Sequence, residues 1–296
     1  MHITFITPTY NRAHTLERVY SSLSSQSCKD FDWLIIDDGS TDRTSDVVET
    51  FQREADFEIT YVKKHNEGKS RSLNLGYSLC KGDLTVVFDS DDWCSEKTVE
   101  LFYGFVKKIP SDELNRYSGV SVLKAYKSGA VVGDEYPEQM DSYVERSNLK
   151  VKGDKWDLIR KDVAQEYPFP VFGDERYIAP SSMLLMIGRK YKTKFINEVL
   201  GVIEYMDDGI SRNNIKHRAG SPLGCCYTYD LIFDVSDNFT AKLRARTNFF
   251  RFYFRQRFFT RYKVIDLLAC PLGFVMYIVD NVKLLRIGGY NWLGKV

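Results

Sequence analysis

Over the first part of the chain, short apolar runs alternate with segments of helical spacing, and that order constrains the fold more than any other feature. Ile3-Thr4-Phe5-Ile6 is strand-like, and Leu16, Val19 and Leu23 then recur at helical intervals. Trp33-Leu34-Ile35-Ile36 is a second strand, followed by helix-spaced Val47, Val48 and Phe51. A third strand, Ile59 to Val62, leads to a helix carrying Leu73, Tyr77 and Cys80, and Leu84 to Phe88 is a fourth. This βαβαβαβ order predicts a Rossmann-like, mainly parallel α/β sheet. Each strand ends in a polar cluster: Thr7 to Arg12, Asp37 to Asp42, Asn66 to Asn74, and Asp89 to Asp92. Ligands of such sheets lie outside the carboxyl ends of the strands, so the four loops predict one site.

The chain's 296 residues allow one large domain or two fused ones. Its 41 basic and 40 acidic side chains provide no global field for nucleic acid. None of the six cysteines lies in a C-x-x-C, which fits reduced thiols in a cytosol. The N-terminus lacks a basic start followed by a long apolar stretch, so no cleaved signal is expected. Leu267 to Val279 is shorter than the roughly 20 residues of a spanning helix and contains Pro271 and Gly273, so it is not read as one.

Beyond Phe102 the alternation fades. Ser118 to Val132 reads as two short strands around a hairpin-like Lys127-Ser128-Gly129 turn, and Gly153 to Ile187 as loops and short helices. After Phe239 aromatic residues (Phe249, Phe250, Phe252, Phe254, Phe258, Phe259) interleave with arginines (Arg244, Arg246, Arg251, Arg255, Arg257, Arg261) in a separate region. The pattern thus divides the chain into 1–110, 111–238 and 239–296, the last a helical tail.

In extended backbone Asp89 and Asp91 point the same way, so both carboxylates can face one ligand, and hard oxygen donors suit Mg²⁺ or Mn²⁺ bound with a substrate diphosphate. Acids after a strand can also simply cap the next helix, which is the expected role of Asp92 before a helix starting near Ser95. Asp37 and Asp38 are more than a turn requires and stand where an acid can bind a nucleoside, whereas Thr41 and Asp42 suit a turn and cap. Gly68-Lys69-Ser70 is not a phosphate loop, because that motif needs Gly where Lys63 stands, although the helix start there still favours an anion, with Arg71 one turn in. His65 and His217 lack zinc-site spacing.

With these residues the first part of the chain resembles the family 2 inverting glycosyltransferases of the GT-A fold. The resemblance rests on Thr7-Pro8-Thr9-Tyr10-Asn11-Arg12, Asp37-Asp38-Gly39-Ser40-Thr41-Asp42, Asn66 with Gly68, Arg71, Asn74 and Gly76, then Gly82-Asp83 and Asp89-Ser90-Asp91-Asp92. It implies that Thr7, Pro8, Thr9, Arg12, Asp38, Asn66, Gly68, Arg71 and Ser90 bind the donor nucleotide, and that Asp91, helped by Asp89, holds Mn²⁺ or Mg²⁺. The second half more loosely resembles bacterial members that build surface polysaccharides, through Gly153-Asp154-Lys155, Phe172-Gly173-Asp174-Glu175-Arg176-Tyr177 and Glu204 to Ser211. That likeness implies an acidic general base, Glu175 first and Asp174 second, unless Glu175 merely pairs with Arg176 or Arg212.

The implied activity is inverting transfer from a nucleotide-sugar, UDP by analogy, to a saccharide or lipid-linked saccharide acceptor. The implied location is the cytoplasm, at the inner face of the membrane if the tail rests on lipid; an ordinary helical subdomain with packed aromatics and solvated arginines is the other reading of that tail. The competing classes are a nucleotidyltransferase, which would carry a glycine-rich basic loop after the first strand, and a non-catalytic sugar-nucleotide or glycan-binding protein.

Overall fold

The structure is a computed structural model that describes residues 1–204, 214–255 and 265–286. Contacts divide the chain into two compact units: Met1–Phe169 with Met186–Met206, and Pro170–Leu185 with Asp207–Val296.

In the first unit β1 (Ile3–Thr9), β2 (Phe31–Asp37), β3 (Glu58–Lys63) and β4 (Leu84–Val87) are joined through α1 (Leu16–Ser24), α2 (Thr44–Glu54) and α3 (Lys69–Leu79). All four strands are parallel, with β1 between β2 and β4, as the alternation predicts. Every residue of β1 and β2 is buried, as expected of central parallel strands covered on both faces.

The remaining strands are β5 (Trp93–Cys94), β6 (Tyr117–Tyr126), β7 (Lys155–Arg160) and β8 (Lys192–Ile203), with helices α4 (Thr98–Lys107), α5 (Tyr143–Asn148) and α6 (Lys161–Glu166) between them. The sheet order is β3-β2-β1-β4-β7-β6-β8-β5. β7 runs antiparallel between β4 and β6, β8 is parallel to β6, and β5 is antiparallel to β8.

Three local expectations are corrected here. Ser118 to Val132 is not a pair of strands: β6 is one long strand, and its turn returns only through the single Ala125–Val131 bridge. The region 153–187 contains a full strand, β7, whose polar residues disguised it. Lys155 donates to the carbonyl of Val132 at 3.2 Å and Tyr143 to Asp157 at 3.0 Å, so these polar groups are satisfied inside the fold. The helix after Asp92 starts at Thr98, not Ser95, and Trp93–Cys94 pairs with β8 instead.

Trp156 of β7 anchors the core. Its ring lies 4.9 Å from Phe88, 5.6 Å from Phe102 and 6.2 Å from Phe5, and its indole N–H donates to the Val87 carbonyl at 2.7 Å.

The second unit contains α8 (Asn214–Ala219), α9 (Pro222–Val235), α10 (Phe239–Tyr253) and α11 (Asp266–Arg286), while α7 (Ser181–Gly188) runs across the boundary of the units. Phe249, Phe250 and Phe252 pack with Cys225, Cys226 and Ala269 into a core, so these aromatics are not free to meet a membrane. Nor is every arginine solvated. Arg246 is 2% exposed, stacks 4.1 Å over Phe249 and pairs with Asp266 at 2.5 Å and Asp230 at 2.8 Å. Arg257, Phe258, Phe259 and Arg261 lie outside the described residues.

α11 continues through Pro271 and Gly273, the residues that weighed against reading Leu267 to Val279 as a spanning helix. A Cβ at Gly273 would stand 2.5 Å from the Phe250 Cβ, so the missing side chain lets α11 approach α10 closely. Asp266–Leu284 is long and apolar enough, by length and composition, to cross a membrane, with 28% of it buried.

Replacing Trp156 by Ala removes the ring that joins β7 to β4 and α4. Urea denaturation should show a loss of about 3–5 kcal/mol with the fold otherwise retained.

Candidate functional site: acidic loops at the carboxyl ends of the parallel strands

The loops after β1, β2, β3 and β4 lie at one sheet edge, and hydrogen bonds tie them together. The Asp38 N–H donates to the Thr9 carbonyl at 2.8 Å, and the Lys64 N–H to the Asp37 carbonyl at 2.9 Å. Asn11, at φ 53°, accepts from the Thr41 N–H at 2.8 Å and donates its own N–H to Ser40 Oγ at 2.8 Å. Asp42 accepts from the Thr44 N–H at 3.1 Å and the Thr44 hydroxyl at 2.6 Å, ordering the entry to α2 as its cap-like spacing predicts.

Asp37 is fully buried, accepting from the Ser40 N–H at 2.7 Å and from the Tyr61 hydroxyl. Burial, with Asp37 beside it, raises the Tyr61 pKa, which keeps that hydroxyl a proton donor. Asp38 is saturated from the third loop: Lys64 Nζ lies at 2.5 Å, and the N–H groups of Glu67 and Gly68 donate at 2.9 and 2.7 Å. Gly68 makes that approach at φ 99° and Gly39 at φ 86°, backbone conformations that favour glycine.

Among the donor-binding expectations, the Thr7 hydroxyl turns into the core and accepts from the Trp33 indole at 2.8 Å. The Thr9 hydroxyl is buried at the end of β1 without a hydrogen-bond partner among the described residues. Pro8 and Ser90 are buried, and Asn66 lies in the β3–α3 loop. The Arg12 N–H donates to Thr44 Oγ1 at 3.3 Å, and Arg71 pairs with Glu67 at 2.8 Å.

The two expected metal ligands differ sharply. Asp89 pairs with Lys69 at 2.5 Å; burial pushes its carboxyl up, but the charges of Lys69 and Lys124 outweigh that and hold it below the usual range. The Asp91 side chain takes no hydrogen bond from another described residue, and burial, then the charge of Asp89, raises its pKa. Its carbonyl is held by Arg18, which donates at 3.3 Å, pairs with Glu204 at 3.0 Å and stacks 5.3 Å over Trp93.

Asp92 is no helix cap. It is 5% exposed and takes a 2.8 Å hydrogen bond from Lys124, itself 3% exposed, which also reaches Asp154 at 3.1 Å. Burial alone would discharge Lys124, but Asp154 and Asp92 hold its pKa well above normal. Arg18, Lys64 and Lys124 were not singled out from sequence, and Lys69 only in the rejected phosphate-loop reading, since their partners Glu204, Asp38, Asp92 and Asp89 lie on other strands or loops.

No group of three or more His, Cys, Asp or Glu among the described residues could hold a metal ion. One open carboxylate beside a substrate diphosphate remains a sufficient donor set for Mg²⁺ or Mn²⁺, which bind through one or two carboxylates and phosphate oxygens. Asp91 fits that role, whereas Asp89 is engaged by Lys69.

In the second unit Glu175 accepts hydrogen bonds from the Leu223 N–H at 2.9 Å and the Gly224 N–H at 2.8 Å, at the first turn of α9. Pro222 opens that helix, where its missing N–H forfeits nothing. Burial raises the Glu175 pKa, and the two amide bonds only partly offset it. Asp174 is exposed, with no hydrogen bond or ion pair among the described residues. Tyr205 to Arg212 lies outside those residues.

The fold is the GT-A type: parallel strands bearing the acidic loops, completed by mixed strands and a helical C-terminal extension. The family model "Glycosyl transferase family 2" matches residues 4–167, and the chain belongs to that family. It is 29% identical over 139 residues to the glycosyltransferase GlyA of Streptococcus pneumoniae, covering 47% of this chain and 20% of that one. It is 26% identical over 116 residues to the Staphylococcus aureus poly(ribitol-phosphate) β-N-acetylglucosaminyltransferase TarS, covering 38% and 20%. The chain therefore spans only a fifth of the length of either relative. The solved S. aureus TarS fragment 1–349 superposes with a TM-score of 0.62 at 14% identity, over 98% of this chain and 93% of that one. A Pyrobaculum calidifontis mannosyltransferase, solved with GDP-Man and Mn²⁺, superposes with a TM-score of 0.57 at 17% identity, over 98% and 76%.

Removing the buried Lys124 cation should be costly. Lys124→Met leaves Asp92 without its partner, with an expected loss of about 3–5 kcal/mol in chemical denaturation, and adding Asp92→Asn should recover much of it.

Proposed function

We propose that this protein is an inverting, divalent-metal-assisted glycosyltransferase that moves a sugar from a nucleoside diphosphate donor to a saccharide or lipid-linked saccharide in surface polysaccharide synthesis on the cytoplasmic side of the membrane. The observation that carries the reading is the single open carboxylate, Asp91, among acids otherwise held by Lys64, Lys69, Lys124 and Tyr61. UDP is the favoured nucleotide, supported by the TarS fragment solved with UDP-GlcNAc, which superposes with a TM-score of 0.61.

The loops after β1 and β2 would seat the nucleoside against Thr9, Arg12 and the Asp38 loop. Mn²⁺ or Mg²⁺ held by Asp91 would neutralise the leaving diphosphate when bound with the donor. Lys69, at the start of α3 beside Asp89, adds fixed positive charge near the same loop. Glu175 takes the proton of the acceptor hydroxyl while that oxygen forms a bond to the anomeric carbon. The bond from that carbon to the diphosphate breaks, the nucleoside diphosphate leaves, and one displacement inverts the centre. Two main-chain amides fix the Glu175 carboxylate at the first turn of α9.

Calorimetry with UDP-, GDP- and dTDP-sugars, in Mn²⁺ or EDTA, should show metal-dependent binding of one nucleotide, lost in Asp91→Ala. No binding of any donor would end the transferase reading. Glu175→Gln should keep donor binding and lower transfer by roughly 10²–10⁴-fold, whereas wild-type transfer would leave Glu175 as an anchor of α9 and pass the proton to Asp174. Binding without turnover of any acceptor would mark a sugar-nucleotide-binding protein.

The raised pKa of Glu175 sets the sign of the pH profile. A base must be deprotonated, so kcat should rise with pH through an acid limb above the ordinary glutamate range. The Glu175→Gln profile should lack that limb.

A further inference from the structure

The C-terminal region concentrates charge and apolar surface in a way that sugar transfer does not use. From Phe239 to Val296 the sequence has eleven Lys and Arg residues against two acids, Asp266 and Asp280, in a chain whose net charge is +1. Both acids are consumed internally. Arg246 pairs with Asp266 and Arg251 with Asp280, each at 2.5 Å, which fixes one face of α11 against α10. The small residues Ala269 and Gly273 lie on that same face.

The opposite face is apolar and open. Leu267 is 80% exposed, Leu272 52%, Val275 59%, Ile278 46%, Val279 46% and Val282 45%. At 1.5 Å per residue this stripe is about 22 Å long. It carries no acid, and Lys283 stands at its end. An exposed apolar stripe of this size on a folded unit marks a contact surface.

Charge selects the occupant. A second copy would bring a region with the same excess of basic residues into the contact, and like charges would oppose it. A bilayer-spanning helix must be apolar all round, whereas α11 turns Asp266 and Asp280 toward the arginines of α10. A negatively charged lipid surface satisfies both features, because acyl chains take the stripe and phosphates offset the region's excess positive charge.

We propose that α11 lies in the plane of an anionic phospholipid surface, with the face bearing Leu267, Leu272, Val275, Ile278 and Val282 immersed and α10 on its protein side. The proposal goes beyond sugar transfer and stands apart from it, since donor binding is measured without lipid.

The test is flotation of the full chain with phosphatidylcholine vesicles, with and without phosphatidylglycerol. Wild type should float only with the anionic vesicles, release as salt rises, and be extracted by alkaline carbonate. The triple variant Leu272→Glu, Val275→Glu, Ile278→Glu should lose at least about tenfold of the bound fraction while keeping its thermal melt and donor binding. No flotation of wild type, an unaffected triple variant, or resistance to carbonate would overturn the proposal. So would dimerisation abolished by the same variant. Should that variant fail to fold, Val275→Trp supplies a second reading: its added fluorescence should shift blue and be quenched by brominated lipid on anionic vesicles, and an unchanged spectrum would count against the idea.

Discussion

Acid burial is the constraint on which the site depends. Six aspartates cluster at and after the ends of β2 and β4, and for the five that are buried or half-buried, leaving water costs several kcal/mol each unless a partner is supplied. Asp37 is served by Tyr61 and Ser40, Asp38 by Lys64 and two main-chain amides, Asp89 by Lys69, and Asp92 by Lys124. Those partners also tie loops from different strands to one another, so neutralising the acids builds the edge of the site. Asp91 alone keeps its side chain open, and an open carboxylate in a fixed frame is what a cation bound with substrate requires.

The second unit solves a similar problem with arginine. Arg246 is almost wholly buried because its planar guanidinium stacks on Phe249 while its N–H groups reach Asp266 and Asp230. The aromatic and basic residues that alternate along the tail thus divide their work: those of α10 build a core, and α11 is left with one free apolar face. Glu175 belongs to this unit too. Its carboxylate secures the first turn of α9 by accepting the Leu223 and Gly224 N–H groups, the same side chain for which the proton-taking role is proposed.

Much of the fold was legible locally. Strands β1 to β4 and helices α1 to α3 follow from apolar spacing within short windows, and the acidic clusters sit beside the strands that aim them. β7 was missed because Lys155 and Asp157 look like loop residues until Val132, Tyr143 and Ser121 are seen to satisfy them. α11 is continuous through Pro271 and Gly273 because packing on α10 outweighs these local breaker signals, and Gly273 is the residue that lets the helices close.

The sequence by itself determined the parallel half of the sheet, the edge on which a ligand would bind and the acids gathered there, since each depends on residues near one another along the chain. Tertiary structure alone decided which acid is left open. Lys69 stands 20 residues from Asp89 and Lys124 stands 32 from Asp92, and no periodicity reports a partner at that range. Ion pairing depends on distance in space, and only the folded chain sets that distance.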